Sequence, residues 1–330
     1  MNAANGLLAN PWINGLVFGG AVVTALMLLA AYLTWFERKF AARIQSRMGP
    51  TMVGPKGLLQ PIADGLKMIQ KEEIVPRDAD SLLFNIAPAL TAFFALAVAA
   101  VIPFSPGLLA SDLDIGVLYA LAIAGLTSFP IWVGAWASNN KYALLGGMRM
   151  VAQAISYEIP MVLAALVPVM LAGSLSIARI VEYQVEHGWF AFWPPGPGML
   201  AFLLFMLTSL AEGNRIPFDI PEAESELVAG PTTEYTGIKF GLFAVAEYVH
   251  SVLSSALGAA LFLGGWDGPF GPPVLWMILK TAFLFVVITW LRWTLLRLRS
   301  DQLMALCWIY LVPGALGLLL VTGLYVHLGG

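Results

Sequence analysis

Acidic side chains inside apolar segments are the most chemically informative feature of this sequence. Glu158, Glu212 and Glu247 each lie within a run of apolar residues that is long enough to form a buried helix. A charged side chain at the centre of a bilayer costs about 3 kcal/mol on insertion scales, and such residues usually mark a pathway. These positions therefore predict carboxylates that face a protein interior or water and that exchange protons.

A second group of acids follows Glu212 in a connecting segment, RIPFDIPEAESELVAGPTTEY, where Arg215 is the only base. Carboxylates spaced this closely cannot all ionise cheaply, so some of them should have raised pKa values. The alternative is that this acidic segment is simply a solvated surface. Apolar residues and three prolines interrupt it, and they favour partial burial instead. The predicted proton relay comprises Glu158, Glu212, Glu222, Glu224, Glu226, Glu234 and Glu247.

The residue types that bind metals or redox cofactors are nearly absent. Glu247 and His250 have the E-x-x-H spacing of di-iron bundles, but such bundles need two pairs of this kind. His187 and His327 are not so placed, and the single cysteine, Cys307, cannot hold a cluster by itself. The sequence therefore predicts no metal site and no cofactor bound by this chain.

The composition indicates which elements must position these acids. Of 330 residues, 59% are hydrophobic and 11% are charged, with a mean hydropathy of +0.81. A soluble domain is about 25% charged, and a bilayer core of about 30 Å needs roughly 20 apolar residues per helix. The runs lack the alternation of barrel strands. The sequence predicts one all-α, polytopic membrane domain over 1–330 with about eight transmembrane helices, near 12–36, 81–102, 115–138, 151–171, 199–218, 236–263, 273–293 and 303–326.

The connection after the first run contains a predicted surface helix near 57–71. Apolar residues recur there at helical spacing, and Asp64, Lys67 and Lys71 occupy the remaining face. This pattern is typical of an amphipathic helix that lies along the membrane surface. A basic helix that only anchors to lipid headgroups is the alternative, although Asp64 interrupts the basic face.

Basic residues in the connections predict the orientation. Fourteen of the 17 lysines and arginines lie in odd-numbered connections, whereas Arg179 is the only one in an even-numbered connection. Connections rich in Lys and Arg face the cytoplasm. We therefore expect the surface helix on the cytoplasmic side and both termini on the opposite side. The first ten residues lack the basic region of a secretory signal, so the first run is expected to be a retained span.

Four segments carry a specific resemblance to a known family. They are Glu37–Pro76, which begins ERKF; Ala211–Tyr235, which begins AEGNRIPFD; Ala246–Tyr248, AEY; and Arg297–Met304, RLRSDQLM. These motifs resemble the H subunit (subunit 1) family of respiratory complex I, the proton-pumping NADH–quinone oxidoreductase. The likeness covers nearly the whole chain.

The resemblance implies a heel subunit that forms a quinone access tunnel and couples quinone reduction to proton translocation through the carboxylates. It implies quinone as substrate, with iron–sulfur clusters and flavin on partner subunits and no catalytic redox residue in this chain. The implied partners are peripheral-arm subunits, small membrane-arm subunits and the lipid bilayer, with no nucleic acid, in an energy-coupling membrane such as the bacterial inner membrane. The residues implied at the quinone entrance are Arg43, Arg47, Asp64, Lys67 and Arg299.

Three other functions are compatible with intramembrane acids. One is the equivalent anchoring subunit of a related membrane-bound hydrogenase-type complex. A second is a scaffold in which the acids serve only as interface ion pairs. A third is a secondary transporter, which should show paired, repeated and broken helices, and the sequence shows no such repeat.

Overall fold

The computed structural model describes residues 11–193, 196–221 and 224–328, and the side chains of these residues except for 11–18, 224 and 225. The described part of the chain is mostly helical and contains no β-strand. Thirteen α-helices are assigned in this part of the chain. In order they are α1 (Pro11–Ile44), α2 (Gln60–Gln70), α3 (Ser81–Ala97), α4 (Gly116–Leu126), α5 (Ser128–Ala137), α6 (Lys141–Ala172), α7 (Ile177–His187), α8 (Pro197–Glu212), α9 (Glu224–Leu227), α10 (Gly237–Phe262), α11 (Pro273–Thr294), α12 (Ser300–Ala305) and α13 (Val312–His327).

Seven helical stretches in the described residues are long and apolar enough to cross a membrane, and α8 is a shorter apolar helix. Consecutive elements combine into single spans, since α4 and α5 form one stretch and a π-helical segment joins α12 to α13. The seven stretches are Gly19–Ile44, Ser81–Val101, Gly116–Ala137, Lys141–Ala172, Gly237–Phe262, Pro273–Thr294 and Ser300–His327. This architecture confirms the predicted all-α polytopic membrane fold.

Helix α10 lies at the centre of the bundle and packs against α3, α11, α1, α2 and α8. Its 26 residues extend for about 39 Å at 1.5 Å per residue, which is enough to cross a bilayer core. Small residues allow close packing along it, because a Cβ at Gly258 would lie 3.2 Å from the Phe205 ring. Nearly every residue from Val249 to Phe262 is buried.

The two ends of α10 contact two different amphipathic helices. At its N-terminal end, Lys239 Nζ lies 2.9 Å from Glu73 Oε2, just after α2. At its C-terminal end, Gln184 of α7 donates from Nε2 to the Ala260 carbonyl oxygen at 2.9 Å. Helices α2 and α7 therefore lie at opposite ends of the bundle.

Helix α6 begins and ends with ordinary capping signals. The Asn140 side chain accepts a hydrogen bond from the Tyr142 amide at 2.8 Å, and Gly173 ends the helix in the left-handed region with φ of 63°. Near its first third, Gln153 donates from Nε2 to the carbonyl oxygens of Ala211 at 2.7 Å and Phe218 at 2.8 Å. This side chain fixes the turn that follows α8 and so positions Glu212.

Candidate functional site

A cavity of about 240 Å³ lies among α3, α4, α5, α6, α10 and the end of α8. Its lining includes Glu212, Asn214, Glu247 and His250, together with hydroxyl and apolar side chains. One water molecule needs a cavity volume of only about 10–15 Å³. The cavity is therefore roomy and polar enough to hold several hydrogen-bonded waters.

Glu212 is the last residue of α8, and this position places its side chain in the wall of the cavity. Its side chain is only 6% exposed. Neither carboxylate oxygen has a hydrogen-bond partner among the described residues. The nearest basic atom in an ion-pair arrangement is His250 Nε2, 3.9 Å from Glu212 Oε2. Glu212 is thus buried against a polar cavity rather than bound in a salt bridge at hydrogen-bond distance.

Glu158 approaches the same region from α6. Its carboxylate packs against Gly125 of the cavity wall, because a Cβ added there would lie 2.5 Å from Glu158 Oε1. Glu158 and Glu212 are also close enough for their charges to interact. The structure therefore brings Glu158, Glu212 and Glu247 together around one cavity.

A buried network of charges borders the cavity beside Glu247. Arg215 is 1% exposed, and it lies between Glu37 of α1 and Glu247 of α10 at N–O distances of 3.1 Å and 3.2 Å. Glu37, 3% exposed, also accepts a hydrogen bond from Arg292 of α11 at 2.7 Å. The Arg215 guanidinium lies 4.7 Å from the Tyr248 ring centroid. Two cations thus face two carboxylates, and the network joins α1, α10, α11 and the turn after α8.

The role of Glu37 in this network was not predicted from the sequence. Glu37 directly follows the first apolar run, at the start of the basic connection. The available signal was the isolation of Arg215 in an acidic segment, because a buried cation requires a carboxylate partner. Nothing in the sequence indicated which carboxylate would be that partner.

Two further predicted relay residues, Glu226 and Glu234, do not line the cavity. Glu234, in the turn before α10, accepts a hydrogen bond from Asn140 Nδ2 at 2.5 Å. Glu226 pairs with Arg149 of α6 on the surface, and the hydrogen bond from that guanidinium holds the pKa of the Glu226 carboxyl below its ordinary value. Glu222 and the side chain of Glu224 lie outside the described residues.

The five residues implied at the quinone entrance do not line this cavity. Asp64 accepts hydrogen bonds from Arg38 Nη1 at 2.8 Å and Gln60 Nε2 at 2.9 Å, which ties α2 to α1. Arg299 is exposed and pairs with its neighbour Asp301 at 3.2 Å. The other three residues, all exposed, are Arg43, Arg47 and Lys67.

No group of three or more His, Cys, Asp or Glu residues in the described part of the chain could hold a metal ion. Cys307 is buried, and its thiol donates to the Ser156 carbonyl oxygen at 2.9 Å. This cysteine therefore takes part in packing between α6 and the segment that joins α12 to α13.

The fold and the cavity define a polytopic, all-α membrane protein with ionisable residues in its interior. The family model described as NADH dehydrogenase matches residues 19–323. The chain belongs to the family of H subunits of NADH–quinone oxidoreductase, as the sequence motifs predicted.

Three relatives illustrate this membership. The NADH-quinone oxidoreductase H subunit 2 of Syntrophobacter fumaroxidans is 48% identical over 92% of this chain and 93% of its own length. The H subunit 1 of the same enzyme from Geobacter metallireducens is 49% identical over 90% of this chain and 92% of its own length. NADH-quinone oxidoreductase subunit 8 of Thermus thermophilus is 47% identical over 93% of this chain and 85% of its own length.

Proposed function

We propose that this chain is the membrane heel subunit of a proton-translocating NADH–quinone oxidoreductase. In this role it forms the quinone access tunnel and couples quinone reduction to proton movement through its interior carboxylates. The flavin and the iron–sulfur clusters belong to partner subunits of the peripheral arm, and quinone is the substrate. The observation that carries the proposal is the cavity with Glu212 and Glu247 in its wall and Glu158 behind Gly125.

The chemistry of these acids supports proton transfer. A carboxylate without hydrogen bonds in a buried position is unfavourable as an anion, and Glu212 and Glu158 compete to carry negative charge. Taking up a proton at either site relieves this cost, so a proton can pass between them as the charge nearby changes. The Arg215 network supplies a charge arrangement that can influence Glu247 directly.

The α2 region supports a tunnel that opens to lipid. Ile62, Leu66 and Ile69 are each more than half exposed on α2. A helix with such an apolar face favours contact with acyl chains or with the isoprenoid tail of a quinone. The Arg38–Asp64 ion pair holds this helix beside the end of α1. Arg43, Arg47, Lys67 and Arg299 are the polar groups proposed around the entrance.

The proposed location is an energy-coupling membrane, the bacterial inner membrane, with α2 on the cytoplasmic side and both termini on the other side. The distribution of basic residues supports this orientation, since fourteen lysines and arginines lie in the connections, or at the helix ends next to them, on one side and only Arg179 on the other. Small membrane-arm subunits and peripheral-arm subunits are the proposed neighbours.

Two alternatives remain distinct from this proposal. A scaffold would use its buried acids in ion pairs, and the Arg215–Glu37 pair fits that role, whereas the unpaired oxygens of Glu212 do not. An anchoring subunit of a hydrogenase-type complex would share the fold. Quinone reduction by the purified complex with NADH as donor distinguishes that case, because the alternative complex would not support it.

The test of the proposal is Glu212→Gln in the intact complex, compared with Glu182→Gln on the exposed face of α7. The amide keeps the size of the side chain but cannot carry an exchangeable acid proton. We expect Glu212→Gln to assemble and to lose quinone reduction and proton translocation together, whereas Glu182→Gln behaves like the parent. Full activity and normal translocation in Glu212→Gln would make the cavity acids dispensable and reduce the chain to a tunnel wall and anchor.

A further inference from the structure

His250 is the ionisable residue of the cavity that the proposed relay does not include. It lies one turn after Glu247 on α10, so both side chains project from the same face of the helix. The His250 side chain is only 9% exposed, and it lines the same cavity as Glu212 and Glu247. Its position therefore places an imidazole beside Glu212 of α8, in a cavity that Glu247 of α10 also lines.

The hydrogen bonding of His250 is unlike that of a packing residue. Its Nε2 atom is buried and has no hydrogen-bond partner among the described residues, and it faces Glu212 Oε2 at 3.9 Å. Its Nδ1 atom faces the turn at Gly213, where an added Cβ would lie 3.8 Å away. A buried polar atom that has no protein hydrogen-bond partner is unfavourable in a packed interior. An apolar side chain would avoid that cost, so the imidazole at this position indicates a chemical role.

We propose that His250 is a proton-transfer residue that connects Glu212 to the Glu247 side of the cavity. This inference rests on the proposed function and adds a member to its relay. A neutral imidazole has one donor and one acceptor nitrogen. It can accept a proton at one nitrogen while it releases another proton from the second nitrogen, with no net change in its charge. The ring is then left in its other tautomer, and rotation of the ring resets it.

The charged groups around His250 favour transfer over storage of the proton. Glu212 of α8 lies 3.9 Å from it, Glu247 of α10 lines the same cavity, and Glu158 of α6 lies against Gly125 of the cavity wall. Arg215 lies 3.2 Å from Glu247, one turn before His250, and a cation in this region opposes the build-up of a second positive charge. Proton transfer requires the 3.9 Å separation between His250 Nε2 and Glu212 Oε2 to shorten to hydrogen-bond distance, or one water in the cavity to bridge it.

The test uses His250→Asn and His250→Gln in the intact complex reconstituted into vesicles. Each amide keeps a polar atom near one imidazole nitrogen, but neither passes a proton by exchanging tautomers. The matched control is His187→Asn, which changes an exposed histidine at the end of α7. Oxidation of NADH by a water-soluble acceptor, a reaction that the proposed function assigns to partner subunits, reports intact assembly.

We expect both His250 variants to assemble and to lose at least about tenfold in coupled quinone reduction and proton translocation, since positioned acid–base groups contribute about 10²–10⁴-fold. We also expect a larger solvent deuterium isotope effect on the residual turnover, which a merely structural role would not produce. Parent-like rates in either assembled variant would overturn the inference, and so would failure of both variants to assemble.

The Glu212→Gln result separates this inference from the proposed function. If Glu212→Gln abolishes coupled turnover and the His250 variants retain it, only the role of His250 is wrong. If Glu212→Gln is fully active, the proposed function fails as well.

Discussion

Buried polar groups near the two ends of α10 differ in how completely they are hydrogen-bonded. Toward its N-terminal end, the helix borders a cavity in which the oxygens of Glu212 and the Nε2 atom of His250 have no hydrogen-bond partners among the described residues. Toward its C-terminal end, near Phe262, the buried side chains of Gln184 and Lys280 each have two or more partners. One helix thus connects a region in which these buried polar atoms lack protein hydrogen bonds to a region in which these buried polar side chains are hydrogen-bonded.

Gln184 and Lys280 account for the second region. Gln184 donates to the Ala260 carbonyl oxygen at 2.9 Å and accepts from the Gly264 amide at 3.0 Å. Lys280 Nζ donates to the carbonyl oxygens of Leu263 at 2.5 Å and Asp267 at 2.7 Å. The last carbonyl groups of a helix have no partners within the helix. Both side chains therefore complete the hydrogen bonding of the C-terminal end of α10.

The comparison shows that burial alone does not assign a role to a charged residue in a membrane helix. Lys280 and Glu212 are both ionisable residues in apolar segments, and the sequence alone favours a place on a proton or ion pathway for each of them. Their hydrogen bonds separate them, since Lys280 binds backbone carbonyls whereas Glu212 faces a cavity. We therefore assign a structural role to Lys280 and a proton-transfer role to Glu212.

The largest expected effect is that of Arg215→Met. Removing this cation leaves Glu247 without its ion-pair partner and takes one of two cationic partners from Glu37. Breaking a buried ion pair costs about 3–5 kcal/mol, so we expect little assembled complex on native gels and a lower melting temperature. Arg179→Met, at the exposed pair with Asp114, is the control and should assemble normally. Parent-like stability of Arg215→Met would show that the network contributes little to folding.

Lys280→Met should have the next largest effect. It leaves two carbonyl oxygens without their donor and removes an ammonium that lies 4.0 Å from the Trp189 ring centroid. We expect a loss of about 1–3 kcal/mol in stability, measured as a lower melting temperature of the purified complex, with coupled turnover per assembled complex unchanged. Loss of coupling in complexes that assemble fully would instead place Lys280 on a proton path.

Gly125→Ala probes the cavity wall without removing a charge. The new Cβ would lie 2.5 Å from Glu158 Oε1, so the carboxylate has to move away from the wall. Overpacking of this kind costs about 1 kcal/mol, and we expect coupled quinone reduction to fall severalfold. Gly317→Ala in α13 meets no atom within 4 Å and serves as the control. Equal rates in the two variants would show that the position of Glu158 is unimportant.

Arg149→Gln should have the smallest effect, because its pair with Glu226 is exposed. We expect a loss of about 0.5 kcal/mol or less near neutral pH. Arg149 lowers the pKa of Glu226. The contribution of this ion pair to stability is therefore complete above the ordinary glutamate pKa of about 4.3, and it disappears as the pH falls through the lowered pKa. Melting temperatures of parent and variant should therefore converge in acid, and a difference that grows there would contradict this assignment.

The sequence predicted the helical membrane fold because long apolar runs leave few alternatives in a bilayer. It also predicted that Glu158, Glu212 and Glu247 are interior groups, since charge within an apolar run is rarely exposed to lipid. The Glu37 network could not be predicted, because its partners are separated by 178 and 255 positions in the chain. Helix α7 was not predicted either, since one of its buried positions is the polar Gln184.

The most direct test of the contrast between the two ends of α10 is the initial rate of NADH-driven proton translocation in vesicles. It should be measured for Glu212→Gln and Lys280→Met side by side and normalised to the amount of assembled complex. We expect Glu212→Gln to fall below about a tenth of the parent rate, as for loss of a positioned acid–base group, and Lys280→Met to remain near the parent rate. A parent-like rate in Glu212→Gln, or an equal loss in Lys280→Met, would contradict the assignment of proton transfer to the cavity.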